Sequence, residues 1–177
     1  MKTIYLACFL PEEFRRRHQD EMENDRVINK MPDTYPNRFG HHMTVKFRPS
    51  EADCREIQAL FGLPITLTII GGVAAEVLAV VIDKERLLSD YGLVVANDIA
   101  HITIATMEGV KPFKSNEVLS RGDWLSREPH SIPSTLGAWN VSEEFPQGAI
   151  DYTQMVVDGV SIPPRPDLIH RSWKAKK

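Results

Sequence analysis

The sequence predicts an α+β fold with largely antiparallel sheets and flanking helices, and three observations carry that expectation. Strand-like apolar runs and helix-like stretches follow in the order strand, helix, strand, helix, two strands, helix, strand, a mixture that packs as layers around one core. The two central strand-like runs are joined by a short Gly-containing segment, as in a hairpin. The pattern after Gly62 roughly echoes the pattern before it, which suggests two related lobes.

Residues 3–10 read as a buried first strand. Pro11-Glu12-Glu13 then opens a helix, with Pro and acids in the favoured first turn. Its thin apolar stripe of Phe14, His18 and Met22 runs towards Asn24. Residues 31–40 form a loop into a strand at 42–48. Ser50 with Asp53 three residues on is a capping-box start for a helix that Gly62 stops. Strands at 65–70 and 76–82 flank Gly71-Gly72, where the turn is expected. A helix at 84–91 ends at Gly92. A strand at 101–106, a Gly/Pro/Lys loop at 109–115 and a short helix near Glu117 follow. Beyond 121 the periodicity weakens to candidate strands at 132–139 and 152–158. The expected organisation is one domain over 1–160 and a Pro-rich, basic, poorly ordered tail over 161–177.

A chain of 177 residues with net charge −3 can bury one sizeable core but argues against a broad electrostatic nucleic-acid coat. It leaves room for a local basic pocket. Two cysteines, Cys8 and Cys54, without metal-ligand spacing imply neither a disulfide framework nor a zinc site. The first apolar run is too short for a membrane span and lacks a cleavage site, so a cytoplasmic protein is expected, with no membrane association.

Two tetrads repeat each other: His42-Met43-Thr44-Val45 and His101-Ile102-Thr103-Ile104. Side chains at i and i+2 of a strand share a face, so each tetrad presents an imidazole beside a hydroxyl. Cleaving a phosphodiester needs a base, an acid and donors for the charge that builds on the non-bridging oxygens. Two histidines can hold opposite protonation states near neutral pH, and threonine hydroxyls on rigid strands can donate to the phosphate. No metal and no cofactor are expected, since neither tetrad contains a carboxylate and no His-x-x-x-His pair occurs. The plainer alternative is a pair of core histidines bonded to backbone.

The paired tetrads, separated by a helix and a hairpin, resemble the 2H phosphoesterase superfamily, in layout its bacterial 2′-5′ RNA ligase and cyclic-phosphodiesterase branch. Residues 4–13 are similar to that family's first strand and helix entry, and residues 63–82 to the hairpin between its motifs. The resemblance covers roughly 3–113 and leaves the segment after 120 unaccounted for. It implies a bilobal fold, no metal, and hydrolysis of cyclic phosphates or 2′-5′ linkages. It also implies that His42, Thr44, His101 and Thr103 form the catalytic set.

Lys46 shares the His42 face and, with Lys111 and Lys114, is a candidate phosphate contact. Tyr35, Phe113, Trp124 and Trp139 are candidate base-stacking rings, against core packing as the commoner role. His41 is expected to point to the other face. The expected function is metal-independent hydrolysis of a 2′,3′-cyclic phosphate RNA end or a small cyclic nucleotide. The alternatives are cleavage of cyclic oligonucleotide signals, as in phage anti-defence proteins, and a non-catalytic RNA-end-binding module.

Overall fold

The computed structural model describes residues 1–16 and 35–169. The sequence-expected continuation of the first helix through His18 and Met22, and the end of the basic tail, lie outside those residues. Two antiparallel sheets dominate. The first, ordered β3-β1-β8-β9, joins β1 (Lys2–Phe9), β3 (His42–Phe47), β8 (Thr135–Val141) and β9 (Ala149–Asp151). The second, ordered β2-β6-β5-β4-β7, joins β2 (Asn37–Arg38), β4 (Leu67–Ala74), β5 (Val77–Ile82), β6 (His101–Thr106) and β7 (Leu125–Ile132). A small hairpin of β10 (Met155–Val157) and β11 (Val160–Ile162) completes the strands.

The strands alternate as their sequences require. Leu6 and Cys8 of β1, Met43 and Val45 of β3, and Ile102 and Ile104 of β6 all point into one main apolar core. That core takes residues from both sheets and from two helices, α1 (Glu51–Ile57) and α2 (Lys84–Tyr91). Ser50 and Asp53 form the reciprocal capping box at the start of α1, and Cys54 and Ile57 turn inwards. Asp83 caps α2, and Gly92 closes it in the left-handed conformation at φ +67°. A third helix, α3 (Lys114–Ser120), lays Val118 and Leu119 against Val77, Ala79 and Val81 in a second cluster.

One short stretch of chain ties the sheets together. β2 pairs with β6 in the second sheet, and Phe39 and Gly40 prolong that pairing, donating to the carbonyls of Ile104 (2.8 Å) and Thr103 (2.9 Å). After Gly40, at φ +83°, the chain bends and enters β3, which pairs with β1 in the first sheet. On the far side of this crossing the Ala96 amide donates to the Val45 carbonyl at 2.9 Å. The two His-x-Thr strands are thereby neighbours across the junction of the sheets.

Three sequence expectations are corrected. The hairpin turn falls at Ala75-Glu76, and Gly71-Gly72 lies within β4. Those glycines serve close packing: a Cβ on Gly71 would stand 2.6 Å from the Trp124 ring and from the Leu125 carbonyl oxygen. The weakly periodic segment after 121 contains β7, β8 and β9. β7 escaped notice because seven of its eight residues are exposed and carry no apolar alternation. β8, in contrast, is an inner strand of the first sheet. The packed body also continues past 160. Ile162 is buried in the main core, and Gln58 Nε2 donates to the Pro163 carbonyl at 2.8 Å. Among the described residues no helix is long and apolar enough to cross a membrane.

Candidate active site

Because the apolar members of each tetrad fill the core, His42, Thr44, His101 and Thr103 are left on the other face of their strands. All four line one cleft of about 770 Å³ at the junction of the sheets. His42 and Thr44 enter from the first sheet, His101 and Thr103 from the second.

The walls are mainly aromatic. Tyr5 lies on β1 opposite both Phe47 of β3 and Trp139 of β8, so cross-strand pairing lays three rings side by side along the cleft. Tyr5 stacks on the His42 ring at 5.0 Å between centroids, and Trp139 stacks on Tyr5 at 5.8 Å and 3°. Phe9 tilts against His42 at 5.8 Å. Phe39 and Phe113 face them from the other side of the opening, with Phe113 70% exposed. Arg48, not itself a lining residue, lies 5.2 Å from the centroid of the Phe47 ring.

The imidazoles have unlike supports. His101 Nδ1 lies 2.8 Å from the Ile99 carbonyl oxygen. A carbonyl can only accept, so this nitrogen carries the hydrogen and Nε2 of the neutral ring bears a lone pair. His42 Nδ1 instead meets Nδ1 of His41, itself a lining residue of the cleft. Burial pushes the pKa of His42 down to about 3, and the neighbouring charges of His41 and His101 push it the same way. Burial also lowers His101, against a smaller opposing effect of the Ile99 bond. His41 is lowered by burial and then by Arg15.

The hydroxyls differ too. Thr103 Oγ1 lies 2.8 Å from the Oγ of Ser115, which is fully buried at the start of α3. The Pro112 carbonyl is a longer 3.4 Å away. With Ser115 donating to Thr103, the Thr103 hydrogen is held by the Pro112 carbonyl alone, at 3.4 Å, a long contact that a phosphate oxygen in the cleft can replace.

The structure leaves five sequence-chosen residues off the cleft wall. Lys46 is drawn to Asp53 at 3.6 Å, the carboxylate that caps α1. Lys114 Nζ pairs with Glu117 one helical turn on, at 2.5 Å. Lys111 is exposed and is not a lining residue. Tyr35 is buried, its hydroxyl donating to the Ala75 carbonyl at 2.6 Å. Phe113 does line the cleft, as does Trp139, whereas Trp124 packs on the second apolar cluster.

Sequence reasoning missed Tyr5, Phe47, Arg48, Ser115 and the placement of His41. Tyr5 alternates with Leu6 and Cys8 along β1, a period-2 signal hidden when the run is read as buried on both faces. His41 was expected on the opposite face, but it occupies the bend before β3, where strand alternation does not apply.

Among the described residues no three His, Cys, Asp or Glu side chains cluster so as to hold a metal ion. Residues 73–145 match the family model described as the fungal tRNA ligase phosphodiesterase domain. That is a 2H phosphoesterase-family domain. The match covers less than half of the chain, from the end of β4 past β8. It takes in His101, Thr103, Ser115 and Trp139, and it stops short of His42 and Thr44. It also corrects the expected extent of the resemblance, which ended near residue 113: β7 and β8 fall inside the matched region. No match among curated proteins was found for the chain. At the level of the family, the matched domain supports a cyclic phosphodiesterase-type activity.

Proposed function

We propose that the protein is a metal-independent phosphodiesterase that hydrolyses a 2′,3′-cyclic phosphate at an RNA end, or a small cyclic nucleotide. One observation carries the reading: two imidazoles and two threonine hydroxyls, from tetrads 59 residues apart, line a single cleft. One imidazole takes a proton from water as it attacks phosphorus. The other protonates the departing ribose oxygen, and each such role is worth about 10²–10⁴-fold in rate. Thr44 and Thr103 donate to the non-bridging oxygens from rigid strands. In this reading the two sheets are the two lobes of the 2H arrangement, and the chain acts as one phosphoesterase unit.

An RNA end is favoured over a bare phosphodiester by the rings. Phe113, Phe47 and Trp139 offer faces for a base next to the reacting phosphate, and base–aromatic stacking is sequence-tolerant. The name of the matched family, a tRNA ligase phosphodiesterase domain, supports the same substrate class. Arg48, over the cleft-lining Phe47 ring, is the cation nearest to hand for the phosphate that follows.

The test is hydrolysis of an oligoribonucleotide ending in a 2′,3′-cyclic phosphate, compared with a cyclic dinucleotide and a cyclic trinucleotide. The parent and the His42→Ala and His101→Ala variants are run in EDTA. The reading expects turnover of the terminal cyclic phosphate in EDTA, lost in both variants. Turnover confined to the cyclic oligonucleotides would transfer the function to signal cleavage. Tight binding of RNA ends without turnover would make it a binding module.

A further inference from the structure

We propose that His41 is a positioning residue that passes a proton to His42 through their facing Nδ1 atoms, assigning the acid role to His42 and the base role to His101. The inference rests on the phosphodiesterase reading above and deepens it, since that reading leaves the two roles unassigned.

The two Nδ1 atoms have unlike partners. The Ile99 carbonyl holds a hydrogen on His101 Nδ1, so the neutral ring offers a bare Nε2, which is the form of a base. An imidazole partner can donate or accept. Where two neutral imidazoles meet through Nδ1, one of them carries the hydrogen. If His42 donated, its Nε2 would also be bare, and two bases would face one phosphorus with no acid. If His41 donates, His42 carries its hydrogen on Nε2, complementary to His101. Burial keeps both His42 and His101 neutral near neutral pH, and with both rings neutral the arrangement that supplies both roles is the one with His41 as donor.

The surroundings explain why a second imidazole is needed. His42 packs against both Tyr5 and Phe9, a site hostile to a cationic ring, and its pKa is accordingly held near 3. Alone it would almost never carry the second proton of the cation at neutral pH. His41 is the less buried of the two. As His42 Nε2 gives its proton to the leaving oxygen, His42 Nδ1 takes one from His41 Nδ1. The charge therefore never rests on His42.

The step balances. His41 enters as the cation. Water forms the new bond to phosphorus, gives one proton to His101 Nε2, and keeps the other on the phosphoryl oxygen. The bond from phosphorus to the ribose oxygen breaks with its electron pair on that oxygen, which takes the His42 Nε2 proton. His41 ends neutral with a proton on Nε2, and His101 ends as the cation. Solvent then takes the proton from His101 and returns one to His42 Nε2, while the His42 Nδ1 hydrogen passes back to His41 Nδ1.

The charged groups acting on the pair are Arg15, on the helical segment 12–16, and His101 on β6. Both oppose protonation. The phosphodiester anion in the cleft acts the other way, so the pair gains its proton when substrate is bound.

The experiment has two arms on the full chain. In the first, long-range proton–nitrogen NMR of the histidine rings without substrate reads the tautomers near neutral pH. The expected pattern is hydrogen on Nδ1 of His101 and on Nε2 of His42, with the His41 and His42 nitrogens titrating together. Hydrogen on His42 Nδ1, or independent titration, overturns the proposal. This arm needs no turnover, so it stands apart from the function itself. In the second, His41→Ala and His41→Asn are compared with the parent on the hydrolysed substrate, with folding checked by thermal melting. The expected result is a kcat loss on the order of 10²-fold, a descending pH limb moved towards acid, and partial rescue of His41→Ala by added imidazole. An unchanged kcat and pH profile in folded variants overturns it, and so does a kcat loss that imidazole does not relieve.

Discussion

The Gly40 amide donates to the Thr103 carbonyl at 2.9 Å, joining the approach to the first tetrad to the hydroxyl residue of the second. Two residues after that bond the chain presents His42. The spacing of the two imidazoles therefore depends on this backbone crossing. Gly40 stands at φ +83°, and a Cβ there would meet only Ile104 Cδ1 at 3.7 Å, so space is not the constraint. Backbone conformation is.

Gly40→Ala should therefore cost about 1–2 kcal/mol through its left-handed backbone alone. A backbone that relaxes towards negative φ would also pull the Gly40 amide off the Thr103 carbonyl. The expected outcome is a lowered urea midpoint together with a kcat loss larger than the fraction unfolded explains. Gly92, at φ +67° with nothing within 4 Å of its Cβ, is the control: Gly92→Ala should lose similar stability and no kcat in the folded fraction.

His42→Gln and His101→Gln should each lower kcat by about 10²–10⁴-fold without loss of stability at pH 7.5. Neither ring is an apolar core member, and His42 is desolvated by its aromatic neighbours. Steady-state kinetics and thermal melting check the two halves. A variant that keeps full kcat removes that ring from the chemistry.

The lowered pKa values of His41, His42 and His101 carry a stability consequence whose sign is fixed. Each group binds protons more weakly folded than unfolded, so between its folded value and about 6.5 the unfolded chain holds more protons. Stability should fall as pH drops below about 6.5, by up to about 1.4 kcal/mol per pH unit for each histidine. The fall attributable to His42 continues to about pH 3. The lowered carboxylates Asp53, Asp151, Asp167, Glu76 and Glu117 act mainly below pH 5, so the histidines dominate the window from pH 6.5 to 5. Urea denaturation at pH 7.5 and 5.0 should show this loss in the parent and a smaller one in His42→Gln.

Much of this site was legible because strand alternation is a strict rule. Given Met43/Val45 and Ile102/Ile104 as core members, the faces of His42, Thr44, His101 and Thr103 followed. The capping box at Ser50 and the Gly92 stop were equally local and equally readable. What was not legible depends on partners distant in sequence. β7 has no apolar period because it is an exposed edge. Lys46 and Lys114 read as cleft cations until Asp53 and Glu117 are seen beside them. Tyr35 read as a stacking ring until its hydroxyl finds the Ala75 carbonyl. Ser115 carries no motif at all, and its place under Thr103 comes from how α3 packs.

Phe113 allows binding to be separated from chemistry. It lines the cleft yet is 70% exposed, and it precedes α3 without capping it by a side chain. Trp139 is the poorer probe, because it stacks on Tyr5 and Tyr5 stacks on His42, so its loss disturbs the imidazole as well. If Phe113 stacks on a base, Phe113→Ala forfeits about 1–3 kcal/mol of binding in both ground and transition states. KM should rise about 5- to 150-fold with kcat unchanged, the signature of uniform binding. The effect should vanish on a cyclic phosphate that carries no base beyond the reacting ribose. An equal loss on both substrates would show that Phe113 shapes the cleft instead of reading a base.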